Sequence, residues 1–165
     1  MAPAPASPLN KKSSKIIELN EIITGTLAGS ALDRNRMTGS SKPTIVVVDD
    51  SPAMRALFVR GTQDLPVELK IFDSPVSSWA YLENNKPDLL FLNIKMPGKD
   101  GLTYLRELRD LPLHNDTSVV MISSKDYAQD RSIASELGAL EFITKPTPIR
   151  VITEVVQKYL RIGPA

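Results

Sequence analysis

Residues 44–63 read TIVVVDDSPAMRALFVRGTQ, and their order decides how the rest of the chain is parsed. Five consecutive β-branched residues suit a strand buried on both faces, as strands of a parallel sheet are. Two aspartates follow. Ser51 then stands at a helix N-cap and Pro52 at the first helical position, where its missing N–H is not needed. Apolar residues recur at helical intervals through Phe58, so the stretch predicts one strand–loop–helix unit.

The same unit repeats to the end of the chain. VELKIF (67–72) and SPVSSWAYLENN (74–85) form the second, again opened by Ser-Pro. DLLFL leading to Asn93, then GLTYLRELRDL (101–111) with Leu102, Leu105 and Leu108 on one face, form the third. SVVMI (118–122) precedes a helix over DYAQDRSIASEL (126–137), ended by Gly138 as C-terminal cap. LEFI (140–143) and PIRVITEVVQKYL (148–160) complete the series. Five such units predict an α/β fold, a five-stranded doubly wound parallel sheet whose ligands sit at the carboxyl ends of the strands.

The chain divides near residue 42. MAPAPASPLN is Ala/Pro-rich and offers nothing to bury, so it is predicted disordered, and 30–43 is read as linker. Between them Ile16, Leu19, Ile23 and Leu27 recur at helical spacing and predict a short helix over 14–28. Isolated helices below about 12–15 residues are marginal in water, so this one is either a frayed stub or a docking peptide. The expected organisation is a mostly disordered tail over 1–42 and one folded domain over 43–162.

Composition narrows the function classes. The 165 residues are 42% hydrophobic, which supports one core, and contain no cysteine, which excludes disulfides and thiolate metal sites and fits a reducing cytoplasm. The apolar runs are far short of the roughly 20 residues of a membrane helix, and no signal-peptide core opens the chain. Residues 1–42 carry six Lys/Arg against three Asp/Glu, and the whole chain is +1, which leaves 43–165 at −2. That asymmetry is too small to argue for nucleic acid. Nothing in the sequence speaks to oligomeric state.

The strand ends carry the chemistry. They offer Asp49 and Asp50, then Asn93, then Ser123, then Lys145 before Pro146. Brought together, two carboxylates, a hydroxyl and a lysine are the parts of a site for a divalent cation and a phosphoryl group. Each also has a plain reading: Asp49 and Asp50 as helix-capping acids, Ser123 as a loop serine, Lys145 as a solvated lysine. Trp79 and Tyr81 are read as helix packing and His114 as a solvated loop residue. Gly98 and Gly101 belong to a turn, since they form no phosphate-cradling run.

VVVDDSPAMR, PDLLFLNIKMPGKDG, VVMISS and GALEFITKP together resemble the receiver domain of bacterial response regulators, in particular the single-domain chemotaxis type with a flavodoxin-like (βα)5 fold. The resemblance covers about 43–161. It implies that Asp49 and Asp50 hold magnesium, with the backbone carbonyl of Lys95 as third protein ligand. It places Asn93 where the family has the aspartate that takes a phosphoryl group from a histidine kinase or phosphotransfer protein. Ser123 corresponds to the hydroxyl that binds the phosphoryl oxygen, Lys145 to its lysine partner with a cis bond into Pro146, and Phe142 to the aromatic reporter of the switched state.

Asn93 departs from that pattern. A carboxylate attacks phosphorus without first losing a proton, whereas a carboxamide is no such nucleophile, so phosphorylation is expected to be lost. Three clustered carboxylates become two, which predicts weak magnesium binding and a Lys145 deprived of its nearest counter-ion. Two origins fit: a native pseudo-receiver that signals by binding, or an engineered replacement that freezes the unphosphorylated state. The resemblance implies a two-component phosphorelay module, not an enzyme, that contacts a downstream protein through residues 126–162 with Phe142 at the hinge. An aspartyl-phosphate phosphatase would want a second acid two residues after its nucleophile, where the sequence has DDS. Flavin phosphate would meet the two acids of DDSPAM. No output domain follows the fifth helix, so output is expected through a partner or a longer protein.

Overall fold

The computed structural model describes residues 41–164. The expected tail disorder and the helix over 14–28 lie outside the described residues. Within them the strands are β1 (Thr44–Val48), β2 (Glu68–Phe72), β3 (Leu89–Asn93), β4 (Val119–Ser123) and β5 (Glu141–Thr144). The helices are α1 (Pro52–Thr62), α2 (Pro75–Leu82), α3 (Gly101–Asp110), α4 (Ala128–Glu136) and α5 (Ile149–Leu160). All five strands pair in parallel in the order β2-β1-β3-β4-β5.

Strand alternation sends neighbouring side chains to opposite faces and so builds two cores. Val46, Val48, Leu90, Leu92 and Met121 pack against Leu82 of α2, Leu102, Leu105 and Leu108 of α3, and Ala134 of α4. Ile45, Val47, Leu89, Phe91, Val120 and Ile122 face Met54 and Phe58 of α1 and Ile152, Val155 and Val156 of α5. The three central strands are buried on both sides, which is why each reads as an unbroken apolar run.

Helix starts follow the local chemistry. Ser51 Oγ accepts the Met54 N–H at 3.3 Å, and Ser74 forms a reciprocal capping box with Ser77. Asp100 Oδ1 accepts from both Leu102 and Thr103 N–H at 2.9 Å. Gly138 adopts φ 77° after α4, a left-handed conformation that glycine takes without a Cβ clash.

One sequence expectation is corrected here. His114 is not solvated: Pro112–His114 forms a 3₁₀ turn, and the ring is 1% exposed. Its Nε2 donates to the Leu82 carbonyl at 2.5 Å, which leaves Nδ1 to accept from the Thr117 hydroxyl at 2.9 Å.

Candidate functional site

The order β2-β1-β3 means that the chain leaves β1 in one direction and returns past it to β3, so the carboxyl ends of β1 and β3 flank the crevice where such sheets place ligands. Register keeps the tips level: Val48 pairs with Leu92, Asn93 with Ile122 and Ser123 with Thr144. Beyond β5, Lys145 N–H donates to the Ser123 carbonyl at 2.7 Å, and the Lys145–Pro146 bond is cis. Asp49, Asp50, Asn93, Ser123 and Lys145 therefore stand at one end of the sheet.

Asp49 is fully buried, while Asp50 is exposed. Asp49 Oδ1 caps the turn by accepting Ser51 N–H at 2.8 Å, so its capping role is real. Lys145 Nζ lies 3.0 Å from Asp49 Oδ2 and donates to Oδ1 at 3.3 Å. Oδ2 itself has no hydrogen-bond partner; the ammonium lies close to it but off the hydrogen-bonding direction, and holds it by charge. Arg55 donates from Nη1 to the Asp49 backbone carbonyl at 2.9 Å, which adds a second cation to the rim. With no carboxylate at 93, Asp49, buried at the tip of β1, is the counter-ion that Lys145 retains.

Asn93 is 3% exposed. Its Nδ2 donates to Asp50 Oδ1 and to the Lys95 backbone carbonyl, each at 2.9 Å. Both partners are acceptors only, so the amide can meet them only with its NH₂ group. The loop behind it is pinned as well. Gly101 N–H donates to the Ile94 carbonyl at 2.6 Å, and a Cβ at 101 would fall 2.1 Å from the Asn93 carbonyl oxygen.

Ser123 is buried, and its Oγ accepts Lys125 N–H at 3.0 Å, so the hydroxyl is engaged by its own loop. Phe142 is half-buried on β5, with the Arg131 guanidinium 4.6 Å from its ring centroid. A groove of about 660 Å³, which sequence reasoning missed, lies beside the strand tips, lined by Pro75, Val76, Trp79, Pro97 and Tyr104. Trp79 packs on Tyr104 with ring centroids 5.9 Å apart, consistent with its packing role. Burial pushes the Tyr104 phenol up to about 12, against the opposing hydrogen bond with Ser78.

Whether these residues suit magnesium turns on the donor set. Carboxylates and a carbonyl are the hard oxygens that magnesium takes. As arranged they do not fit it: the Asp50 oxygen and the Lys95 carbonyl are already bridged by the Asn93 amide, and Asp49 is paired with Lys145. Among the described residues, no group of three or more His, Cys, Asp or Glu side chains converges as a metal site.

Comparison with known proteins agrees with this architecture. The chain is 36% identical over 104 residues to the cyclic di-GMP phosphodiesterase response regulator RpfG of Xanthomonas campestris pv. campestris, covering 62% of this chain and 28% of that protein. It is 32% identical over 122 residues to the transcriptional regulatory protein BaeR of Escherichia coli O6:H1, covering 72% of this chain and 48% of BaeR. The chain thus spans half or less of the length of these relatives. The solved CheY-like receiver domain protein of Methanospirillum hungatei superposes with a TM-score of 0.67 at 22% identity, over 73% of this chain and 95% of that one, a likeness of fold. Among the described residues no helix is long and apolar enough to cross a membrane. Residues 45–157 match the family described as the response regulator receiver domain, and the chain belongs to that family of two-component signalling modules.

Proposed function

We propose that this chain is a receiver domain of the single-domain chemotaxis type whose acceptor position is chemically silent, and that it signals by protein–protein contact without carrying a phosphoryl group. The observation behind this reading is the orientation of Asn93 at the tip of β3, with its nitrogen turned to Asp50 and Lys95. An amide nitrogen whose lone pair is delocalised and whose hydrogens are both engaged offers no nucleophile where the family uses a carboxylate. Asp49, Asp50, Ser123 and Lys145 keep the family's residue types around it. The same silence follows whether Asn93 is native or introduced.

The contact face lies within residues 126–162, where Tyr127 and Leu140 are 56% and 48% exposed. Phe142 joins that face to the core. A histidine kinase or phosphotransfer protein docks near the strand tips, and a downstream target reads the 126–162 face. RpfG and BaeR carry outputs of their own; here the output passes through a partner or a further part of the protein.

The test exposes this chain and its Asn93→Asp variant to a small-molecule phosphodonor with magnesium, and follows the intact mass. An adduct on the Asp variant alone supports the assignment. An adduct on neither removes it, and one on both shows that Asn93 is not the acceptor position.

A further inference from the structure

Resting on the reading of this crevice as a receiver's acid pocket, we infer that the Asn93 NH₂ group takes the place of the cation, holding Asp50 and the Lys95 carbonyl together so that the pocket is complete without metal. Three observations carry this. The amide nitrogen donates to both oxygens at 2.9 Å, so one group with partial positive charge bridges an anionic and a neutral acceptor, as a bound cation would. The acids also already have cations beside them: Lys145 pairs with Asp49, and Arg55 donates to the Asp49 backbone carbonyl. A third carboxylate at 93 would place another negative charge directly beside Asp50. Finally, the bridge ends on the Lys95 carbonyl, in the loop that Gly101 clamps to the tip of β3, so the amide also fixes the backbone a metal would otherwise draw in.

This differs from a simple loss of charge. If the missing carboxylate alone weakened magnesium binding, any neutral residue at 93 would bind it equally poorly. If the NH₂ group occupies the cation's place, removing that group while keeping the charge must improve binding.

The experiment measures magnesium affinity by calorimetry, and thermal unfolding with and without a chelator, for the full chain and for its Asn93→Ala and Asn93→Asp variants. The unmodified chain is expected to unfold at the same temperature with magnesium or chelator. Asn93→Ala should bind magnesium about tenfold more tightly than the unmodified chain, the equivalent of two hydrogen bonds no longer displaced. Asn93→Asp should bind it most tightly, and be destabilised by the chelator. The Asn93 side-chain NH₂ resonances of the unmodified chain should not move on adding magnesium, a readout that needs no variant to fold. Equal weak binding by the unmodified and Ala forms overturns the inference, as does a magnesium-dependent shift of the Asn93 resonances. Magnesium binding by none of the three, with no phosphodonor adduct on Asn93→Asp, instead overturns the reading of the pocket itself.

Discussion

At the amino end of the sheet, Arg109 donates from Nε to the Leu137 carbonyl at 2.8 Å, and from Nη1 to the His114 and Thr117 carbonyls at 2.7 and 2.8 Å. At the carboxyl end, the Asn93 amide joins Asp50 to Lys95, and Asp49 keeps one oxygen with no hydrogen bond. The first cluster uses a permanent cation to close backbone acceptors before β4 and at the end of α4. Each of the three guanidinium nitrogens is spent on main-chain oxygens. The second leaves one oxygen of a buried carboxylate held by charge alone, without a hydrogen bond. The contrast separates a polar cluster closed by hydrogen bonds from one that leans on an ion pair.

The largest test of that contrast removes the cation from the carboxyl end. Lys145→Met strands the Asp49 carboxylate, which is 0% exposed, and should cost about 3–5 kcal/mol in urea unfolding. A neutral result would mean that Asp49 is held by its turn alone, and the contrast would lose its basis. Arg109→Met should cost about 2–3 kcal/mol, since four carbonyls lose a donor while the half-buried site lets water replace part of it. The loss should be indifferent to magnesium, whereas that of Asn93→Asp should not be.

A smaller effect sharpens the boundary between the two ends. Ser78 Oγ donates to the Pro75 carbonyl, so the Tyr104 hydroxyl, 2.6 Å away, is the donor to Ser78. Tyr104→Phe should cost about 1 kcal/mol. Its pH dependence has a definite sign. The fold holds the phenol neutral, with its titration raised from 10.0 to about 12, so the stability from Tyr104 is whole below pH 10 and lost as pH rises toward 12. Unfolding followed over that window should fall less steeply in Tyr104→Phe than in the unmodified chain.

Much of this was legible because it is local. Ser-Pro pairs, five-residue apolar runs and Gly138 mark the elements within three residues, and Asp49, Asp50, Asn93, Ser123 and Lys145 announce themselves by standing at or just past the strand ends. What was not legible depends on distant residues. His114 is buried because Leu82, 32 positions away, offers it a carbonyl, and no nearby pattern reports that. The counter-ion of Lys145 lies 96 positions off, and which atom of Asn93 faces Asp50 is fixed by a carbonyl and a carboxylate that meet only in three dimensions. The groove beside Trp79 likewise arises from the meeting of α2 with the loop before α3.

The missing methyl of Gly101 has a mechanical corollary. Where a side-chain carbon would overlap the Asn93 carbonyl oxygen at 2.1 Å, there is no clearance for the first turn of α3 to slide along the strand tip. Helix and tip are keyed like a tenon in its mortise, and the ten-residue helix starts directly against the residue-93 peptide.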